Sequence, residues 1–335
     1  MNQFADALKD KKVMCLMIDD LDIYDDSVLD SSFLRWTKTP KKFLKLINDF
    51  KPDLVLTERV SHFSSLILKH DIPLIIFLRG NYWEEIESKK ITGNHVKNFL
   101  KQSFAEKCFT KARMILPICK YLEKIVKEKY PKQSTEVMYQ GIDNSEWFEK
   151  RGMQLKHPCI GLVQDANIWD KTKELLILPK ILKKFPNVNF YWAGDGEYSS
   201  EILSKLEIFE NFHWVGRLEY PSDVRKFFSE IDVYALISGA DMSPHSILEA
   251  SLMKKPILAT DVGGISESVI DKQTGFLISP GNIEEWNNKI SFLFSNPDIC
   301  ERMGESAFKF VNKNFLWKNI VDNFLKILKD NQMYN

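Results

Sequence analysis

Short apolar runs alternate with amphipathic stretches along most of the chain. Val13–Ile18 (VMCLMI), Asp53–Thr57 (DLVLT), Pro73–Leu78 (PLIIFL), Met114–Pro117 (MILP) and Thr135–Met138 read as strands. Between them, Lys41–Phe50, Ser61–His70, a basic segment at His95–Lys111 and Lys120–Lys129 space their apolar residues as helices do. The pattern restarts at Cys159–Val163 (CIGLV). Strands follow at Val188–Ala193, Phe212–Val215, Val233–Ile237, Pro256–Ala259 and Gly275–Ile278. Helices are predicted at Lys173–Phe185, with a break or kink near Pro179, and at Ser199–Phe209, Ser222–Glu230, Ser246–Met253 and Ile265–Ile270. Residues 283–335 read as mostly helical. Strands that are apolar on both faces and alternate with helices predict parallel sheets covered on both sides. Two such series predict two α/β domains, 1–150 and 151–315, with the aperiodic stretch 141–157 as linker. Tandem parallel sheets place a cleft at the strands' carboxyl ends, where open α/β sheets bind ligands.

Composition narrows the class. The 335 residues are 44% hydrophobic and 27% charged, which excludes a disordered or fibrous chain. Lys and Arg number 46 against 46 Asp and Glu, so net charge gives no reason to expect nucleic acid. Residues 1–150 carry 25 − 22 = +3 and the remainder 21 − 24 = −3, too small an asymmetry to name a partner. The five cysteines, at 15, 108, 119, 159 and 300, form no CxxC pair. That points to reduced thiols in a cytoplasmic setting, and away from a disulfide framework or a zinc site. The start, MNQFADALKDKK, is charged and lacks the apolar core of a signal peptide. The longest apolar stretches, such as IPLIIFL at 72–78, are too short to span a bilayer.

The most informative stretch is 239–264, GADMSPHSILEASLMKKPILATDVGG. It follows the strand Val233–Ile237 as a loop and enters a helix near Ser246. Helix N-terminal amides bind anions, phosphates above all. Asp241 lies in the loop and Glu249 lies one to two turns into the helix. Two carboxylates at one cleft suit a hydroxyl-rich ligand such as a sugar or ribose. The same residues also read as a capping loop and an ion-paired helix glutamate.

From residue 141 onward the chain resembles the retaining family 4 glycosyltransferases, which have the GT-B fold of two Rossmann-like domains with parallel sheets facing across a cleft. The signature Asp241-x7-Glu249, Ala250 continues through Lys254-Lys255-Pro256, Ala259-Thr260, Gly263-Gly264 and Glu267. Thr274-Gly275-Phe276-Leu277, Ala193-Gly194-Asp195-Gly196, Gly141-Ile142-Asp143, Ile231-Asp232-Val233 and Phe315-Leu316-Trp317 match further motifs in the family's order. The resemblance implies transfer of a hexose from a nucleoside-diphosphate sugar to a hydroxyl acceptor, with retention and without a metal or cofactor. The first domain would bind the acceptor and the second the donor, and the last segment, 316–335, would cross back to the first domain. Glu249 would accept hydrogen bonds from the ribose. Asp241 would meet the sugar hydroxyls, Met242, Ser243, Pro244 and His245 the sugar and diphosphate, Lys171 the phosphate, and Leu218 the base. The implied proton acceptor is the leaving phosphate, with attack on the face that the diphosphate leaves.

The chain departs from that pattern in four places. Asp241 stands where the family usually has Glu. Gln164-Asp165-Ala166 occupies the stretch of an expected phosphate-site arginine, for which Lys173 and Arg217 are the candidate substitutes. No glycine-rich turn follows Val13–Met17. Arg79 replaces a histidine after the third strand, where it would meet the donor's phosphate or an acidic acceptor, or simply lie at the surface. These departures keep open a second reading, a glycosyltransferase-like binding or partner subunit without turnover. An NAD-dependent oxidoreductase would need G-x-G-x-x-G after the first strand, and none is there.

His62, His70, His95, His157 and His213 are isolated in sequence and fit no metal spacing. Trp169 reads equally as a pocket cover or a core residue. Lys89, Lys90, Lys97, Lys101, Lys107, Lys111 and Arg113, with Phe99, Leu100 and Phe104, form a basic face. It suits an anionic inner-membrane surface carrying a lipid-linked acceptor, or an ordinary solvated helix, since Glu84, Glu85 and Glu87 lie nearby.

Overall fold

The computed structural model describes residues 1–23, 40–84, 86 and 95–333. Two compact units make up the chain: Met1–Tyr139 together with Ile320–Asn335, and Gln140–Asn319.

The first unit holds a parallel sheet in the order β1 (Val55–Glu58), β2 (Leu74–Leu78) and β3 (Met114–Pro117). Val55 pairs with Leu74, and Ile75 with Met114. β2 is the central strand and every one of its residues is buried, as its unbroken apolar run requires. Phe109, from the helix His95–Lys111, stacks on Trp83 at 5.1 Å and on Tyr130 at 5.3 Å. The opening helix Asn2–Asp10 buries Phe4, Ala5 and Leu8. Phe4 meets Phe324 of the last helix, Trp317–Asp330, edge-on at 5.3 Å, and Lys11 pairs with Asp322 at 2.5 Å.

Val13–Ile18 is not a strand. Residues 13–19 have no regular secondary structure and join neither described sheet, and Met14, Leu16 and Met17 are 79%, 45% and 46% exposed. The Val13 amide turns back to Leu8 O at 3.1 Å. Together with residues of 51–63 and the last helix, the segment lines a cavity of about 1040 Å³. An apolar run shows that a segment seeks burial; a strand also needs a ladder partner in register. Thr135–Met138 is a milder case. It follows β3 through Ser134 O, Thr135 and Met138 N, but makes a single bridge, Ile115 to Thr135.

The second unit is a parallel sheet in the order β6-β5-β4-β7-β8-β9. The strands are β4 (Cys159–Val163), β5 (Asn189–Ala193), β6 (Phe212–Gly216), β7 (Val233–Leu236), β8 (Ile257–Thr260) and β9 (Gly275–Ile278). The chain winds outward from β4 to β6, then returns to the other side of β4 to lay down β7, β8 and β9. The order therefore reverses between β4 and β7. There the connections leave on opposite faces and open a crevice at the carboxyl ends. Trp192, Phe190, Leu162, Ile237 and Trp286 are buried in the core beneath.

Pro179 starts a helix instead of kinking one. Trp169–Thr172 is one helical turn, Lys173–Ile177 is a 3-10 turn, and Leu178–Lys184 is a new helix with the proline in its first turn. A missing amide hydrogen costs nothing at that position. The helix predicted at Ile265–Ile270 is only a 3-10 turn, Ile265–Glu267. Residues 141–157 belong to the second unit. Ile142 N donates to Phe315 O at 2.8 Å and Trp317 N to Ile142 O at 3.3 Å, so two motifs far apart in sequence close on each other. Among the described residues no helix is long and apolar enough to cross a membrane.

Candidate active site

The reversal between β4 and β7 gathers the sequence-predicted residues of the second unit. The side chain of Gln164, one residue past β4, donates to Ile237 O at 3.0 Å and accepts from Ile237 N at 3.3 Å. Its amide thus continues the β4–β7 ladder past the strand ends. Gln164 fills the stretch where an arginine was expected, and these bonds commit it to the loop's backbone. Lys173 pairs with Asp170 at 2.6 Å, and the exposed Arg217 interacts with Asp195.

Two glycines let three loops close on one another. Gly239 N donates to Lys171 O at 3.2 Å, and a Cβ on Gly239 would fall 2.2 Å from Asp170 O. Gly263 has φ +57°, and a Cβ there would fall 2.0 Å from Asp241 O. The next amide, Gly264 N, donates to that same oxygen at 2.9 Å. Gly263→Ala is expected to destabilise the protein by about 2 kcal/mol or more through the left-handed backbone and the forced separation. Urea unfolding measures this, and an unchanged midpoint would contradict it.

Held in this way, Asp241 accepts from Lys171 Nζ at 2.9 Å through Oδ2 and from Ser243 N at 3.3 Å through Oδ1. Both side chains are largely withdrawn from solvent, at 15% exposure for Asp241 and 34% for Lys171. Met242 and Ser243 are half-buried, Pro244 is buried, and His245 is half-buried where the helix His245–Leu252 begins. Pro244 is the N-cap and supplies no side-chain cap bond. The buried Tyr234 of β7 donates to Ser246 Oγ at 2.6 Å and fixes this first turn.

Glu249 follows one turn after His245 and is only 4% exposed. Burial pushes its carboxyl up to about 7, and a hydrogen bond from Tyr220 opposes that rise. Tyr220 lies in the loop after β6, as does the half-buried Leu218. Sequence reasoning missed Tyr220 and the clamping role of Gln164. Neither has a periodicity or a charge that would single it out.

Arg79 lies in the first unit, just past β2. Its guanidinium pairs with Glu58, the last residue of β1, a partner the sequence did not suggest. Trp169 packs on the core and against Tyr198 at 5.3 Å. Of the predicted basic face, Lys89 and Lys90 lie outside the described residues, as do Glu85 and Glu87. Lys107, Lys111, Arg113 and Phe99 are exposed.

Among the described residues, one set of three has ligand atoms close enough for a metal: His157, Cys159 and Asp232, within 4.8 Å. His157 is therefore not isolated; its Nδ1 lies 2.9 Å from Asp232 and 3.7 Å from Cys159 Sγ. Asp232 also accepts Cys159 N at 2.7 Å, and the Lys255 ammonium interacts with Asp232 and Cys159. Burial pushes the Cys159 thiol up to about 12, so it is protonated at neutral pH. The Asp232 carboxylate ties the start of β4 to the loop before β7.

The sequence model of the glycosyl transferases group 1 matches residues 143–310, half of the chain and all of this loop cluster. An uncharacterized glycosyltransferase of Methanocaldococcus jannaschii is 25% identical over 270 residues, 78% of this chain and 70% of that protein. Among solved structures, sucrose-phosphate synthase of Thermosynechococcus elongatus superposes with a TM-score of 0.72 at 13% identity, over 98% of this chain and 91% of that one. Anabaena HepE, solved with UDP-glucose, gives 0.67 at 17% identity over 87% and 82%. Both have the GT-B fold, with which the two parallel sheets described above agree. With half the chain matched and the matched half holding these loops, the protein belongs to the glycosyl transferases group 1 family, and it is a glycosyltransferase.

Proposed function

We propose that the chain moves a hexose from a nucleoside-diphosphate sugar to a hydroxyl acceptor, with retention and without a divalent metal. The observation that carries this reading is the 2.9 Å Lys171–Asp241 pair at the β4–β7 reversal. In this reading the first-turn amides of His245–Leu252, with Met242, Ser243, Pro244 and His245, hold the sugar and diphosphate. Glu249 takes the ribose hydroxyls, Leu218 lies beside the base, and Asp241 receives hydroxyls of the sugar. Lys171 stabilises the charge that grows on the leaving diphosphate. The bond from the sugar's anomeric carbon to the diphosphate breaks, and the acceptor oxygen bonds to that carbon on the same face. The acceptor's proton passes to an oxygen of the leaving phosphate. This route needs no side-chain nucleophile, and the lysine fills the part a metal would otherwise play. Arg79 is assigned to the phosphate or to an acidic acceptor. Five free thiols suit the cytoplasm. The exposed Phe99 with Lys107, Lys111 and Arg113 supports a peripheral contact with an anionic membrane bearing a lipid-linked acceptor.

A second reading, a partner subunit that binds without turnover, is favoured by one observation: Gln164 is committed to Ile237 where a phosphate-site cation was expected. One panel separates the two. HepE was solved with UDP, so UDP is tested first, then GDP, ADP and CMP, each with and without magnesium. One nucleotide at millimolar concentration is expected to raise the unfolding midpoint without magnesium, and Glu249→Ala to abolish the shift. The matching nucleotide sugar should then turn over. A shift without turnover supports the partner reading, and the absence of any shift removes the donor site altogether.

A further inference from the structure

We propose that His157, Cys159 and Asp232 form a zinc site at the amino ends of β4 and β7, the end of the sheet opposite the crevice. The register of the two strands builds it. Asp232 N donates to Cys159 O at 3.3 Å, and the ladder continues with Ile160 opposite Val233. That register sets Cys159 beside Asp232, and Cys159 N returns a bond to Asp232 Oδ2 at 2.7 Å. His157 then brings Nδ1 to 3.0 Å and 2.9 Å from the two carboxylate oxygens and to 3.7 Å from Cys159 Sγ. One ligand atom from each residue lies within 4.8 Å of the others. Cysteine spacing pointed away from a zinc site because the third ligand comes 73 residues later, across the ladder.

An imidazole nitrogen, a sulfur and a carboxylate oxygen suit zinc, and do not suit magnesium or calcium, which take oxygen ligands. Around a tetrahedral zinc, with bonds of about 2.0 Å to nitrogen and oxygen and about 2.3 Å to sulfur, ligand atoms stand roughly 3.3–3.6 Å apart. The Nδ1–Sγ distance already fits. The Nδ1–carboxylate distance must open by about 0.4 Å, a small turn of a half-exposed ring. Cys159 is fully buried, whereas the His157 and Asp232 side chains are 47% and 38% exposed. An ion therefore has a path from solvent, and a water completes the fourth position. Oδ2 of Asp232 is oriented by Cys159 N, which leaves Oδ1 to bind, as second-shell bonds orient metal-binding carboxylates. Zinc takes the place of the proton between His157 Nδ1 and Asp232, and the neutral ring carries its proton on Nε2. The Cys159 thiol releases its proton to solvent as the zinc–sulfur bond forms, which holds the affinity below that of a site of ready thiolates. The charged groups around the set are Lys255, Glu149 and Arg151. Lys255 donates to Ser229 O at 3.3 Å, so its ammonium keeps a partner when zinc takes the carboxylate. The five residues of β4 put the ion roughly 15 Å from Gln164, so the donor reaction stays free of metal while the ion clamps the same two strands from their far end.

The test uses the full chain, stripped with a chelator. It is titrated with Zn²⁺ against a competing chromophoric chelator, and with Co²⁺ as a spectroscopic substitute for zinc. One equivalent of Co²⁺ should give a sulfur-to-cobalt charge-transfer band and the intense visible bands of a tetrahedral site, and Zn²⁺ should bleach both. Zn²⁺ should also raise the unfolding midpoint by linkage to the native state, and Mg²⁺ should not compete. Cys159→Ser should erase the charge-transfer band. His157→Ala spares the core and should weaken zinc binding at least about tenfold, the lower end of the loss seen even for groups behind the ligands. Cys300→Ser, whose thiol is bonded to Leu293 O at 3.2 Å, should bind as wild type does. No charge-transfer band, or unchanged zinc affinity in His157→Ala, overturns the proposal and leaves His157 and Asp232 an ion pair. A midpoint lowered by zinc overturns it as well, because the ion then prefers the thiols of the unfolded chain. The nucleotide panel on His157→Ala should give the wild-type shift. A shift lost together with zinc binding would place the ion in the donor site and overturn its placement at the far end of the sheet.

Discussion

Lys171→Ala should lower kcat by about 10²- to 10³-fold, the usual effect of removing one group that stabilises developing transition-state charge. The donor's KM should change far less. The lysine is paired with Asp241 in the free protein, so its attraction to the diphosphate is partly offset by the pair it gives up. The balance tips only as the glycosidic bond breaks and negative charge accumulates on the phosphate. Lys173 is the control. It is exposed and paired with Asp170, and Lys173→Ala should cost under tenfold, the effect of a screened charge at the rim. Steady-state kinetics with the donor found in the nucleotide panel measures both. A Lys171→Ala effect confined to KM would mean that the lysine only binds ground-state substrate.

Glu249→Gln should make the free protein more stable while weakening nucleotide binding. In the unfolded chain the carboxyl titrates near 4.5, and in the folded protein burial pushes it up to about 7. Below pH 4.5 both states are protonated and the substitution changes little. As pH rises toward 7 the unfolded chain ionises first, and folding carries a penalty that is complete above about pH 7. The gap corresponds to about 3 kcal/mol, or roughly 5–10 °C in Tm at pH 8 for a unit of this size. Scanning calorimetry of both proteins at pH 4.5 and pH 8 decides the matter. Equal midpoints at pH 8 would show that the buried acid costs the fold nothing. A destabilising carboxylate retained in a packed helix is what a binding site, and not a core, would demand.

The second unit was legible in the sequence because its chemistry is local and ordered. Asp241 and Glu249 share one loop-and-helix segment, and every strand from Cys159 to Ile278 is bounded by turn residues. What escaped was set by partners elsewhere in the chain. Gln164 looks like an arginine lost until Ile237 is seen across the reversal. Tyr220 has no pattern of its own and gains meaning only from Glu249. Val13–Ile18 has the composition of a strand, but whether it pairs depends on what the edge of β1 meets. Pro179 shows the converse, since a residue that breaks helices in general begins one here.

The first unit is discontinuous in sequence, and that fixes an order of events during synthesis. Phe4 and Phe324 touch, yet 320 residues separate them in sequence. When residue 319 has just been joined, every strand of the second unit already exists, whereas the opening helix still lacks the partner that covers it. Nascent domains ordinarily complete from the amino end. Here the helix Asn2–Asp10 keeps its apolar face without the partner that covers it until residues 317–330 have been made.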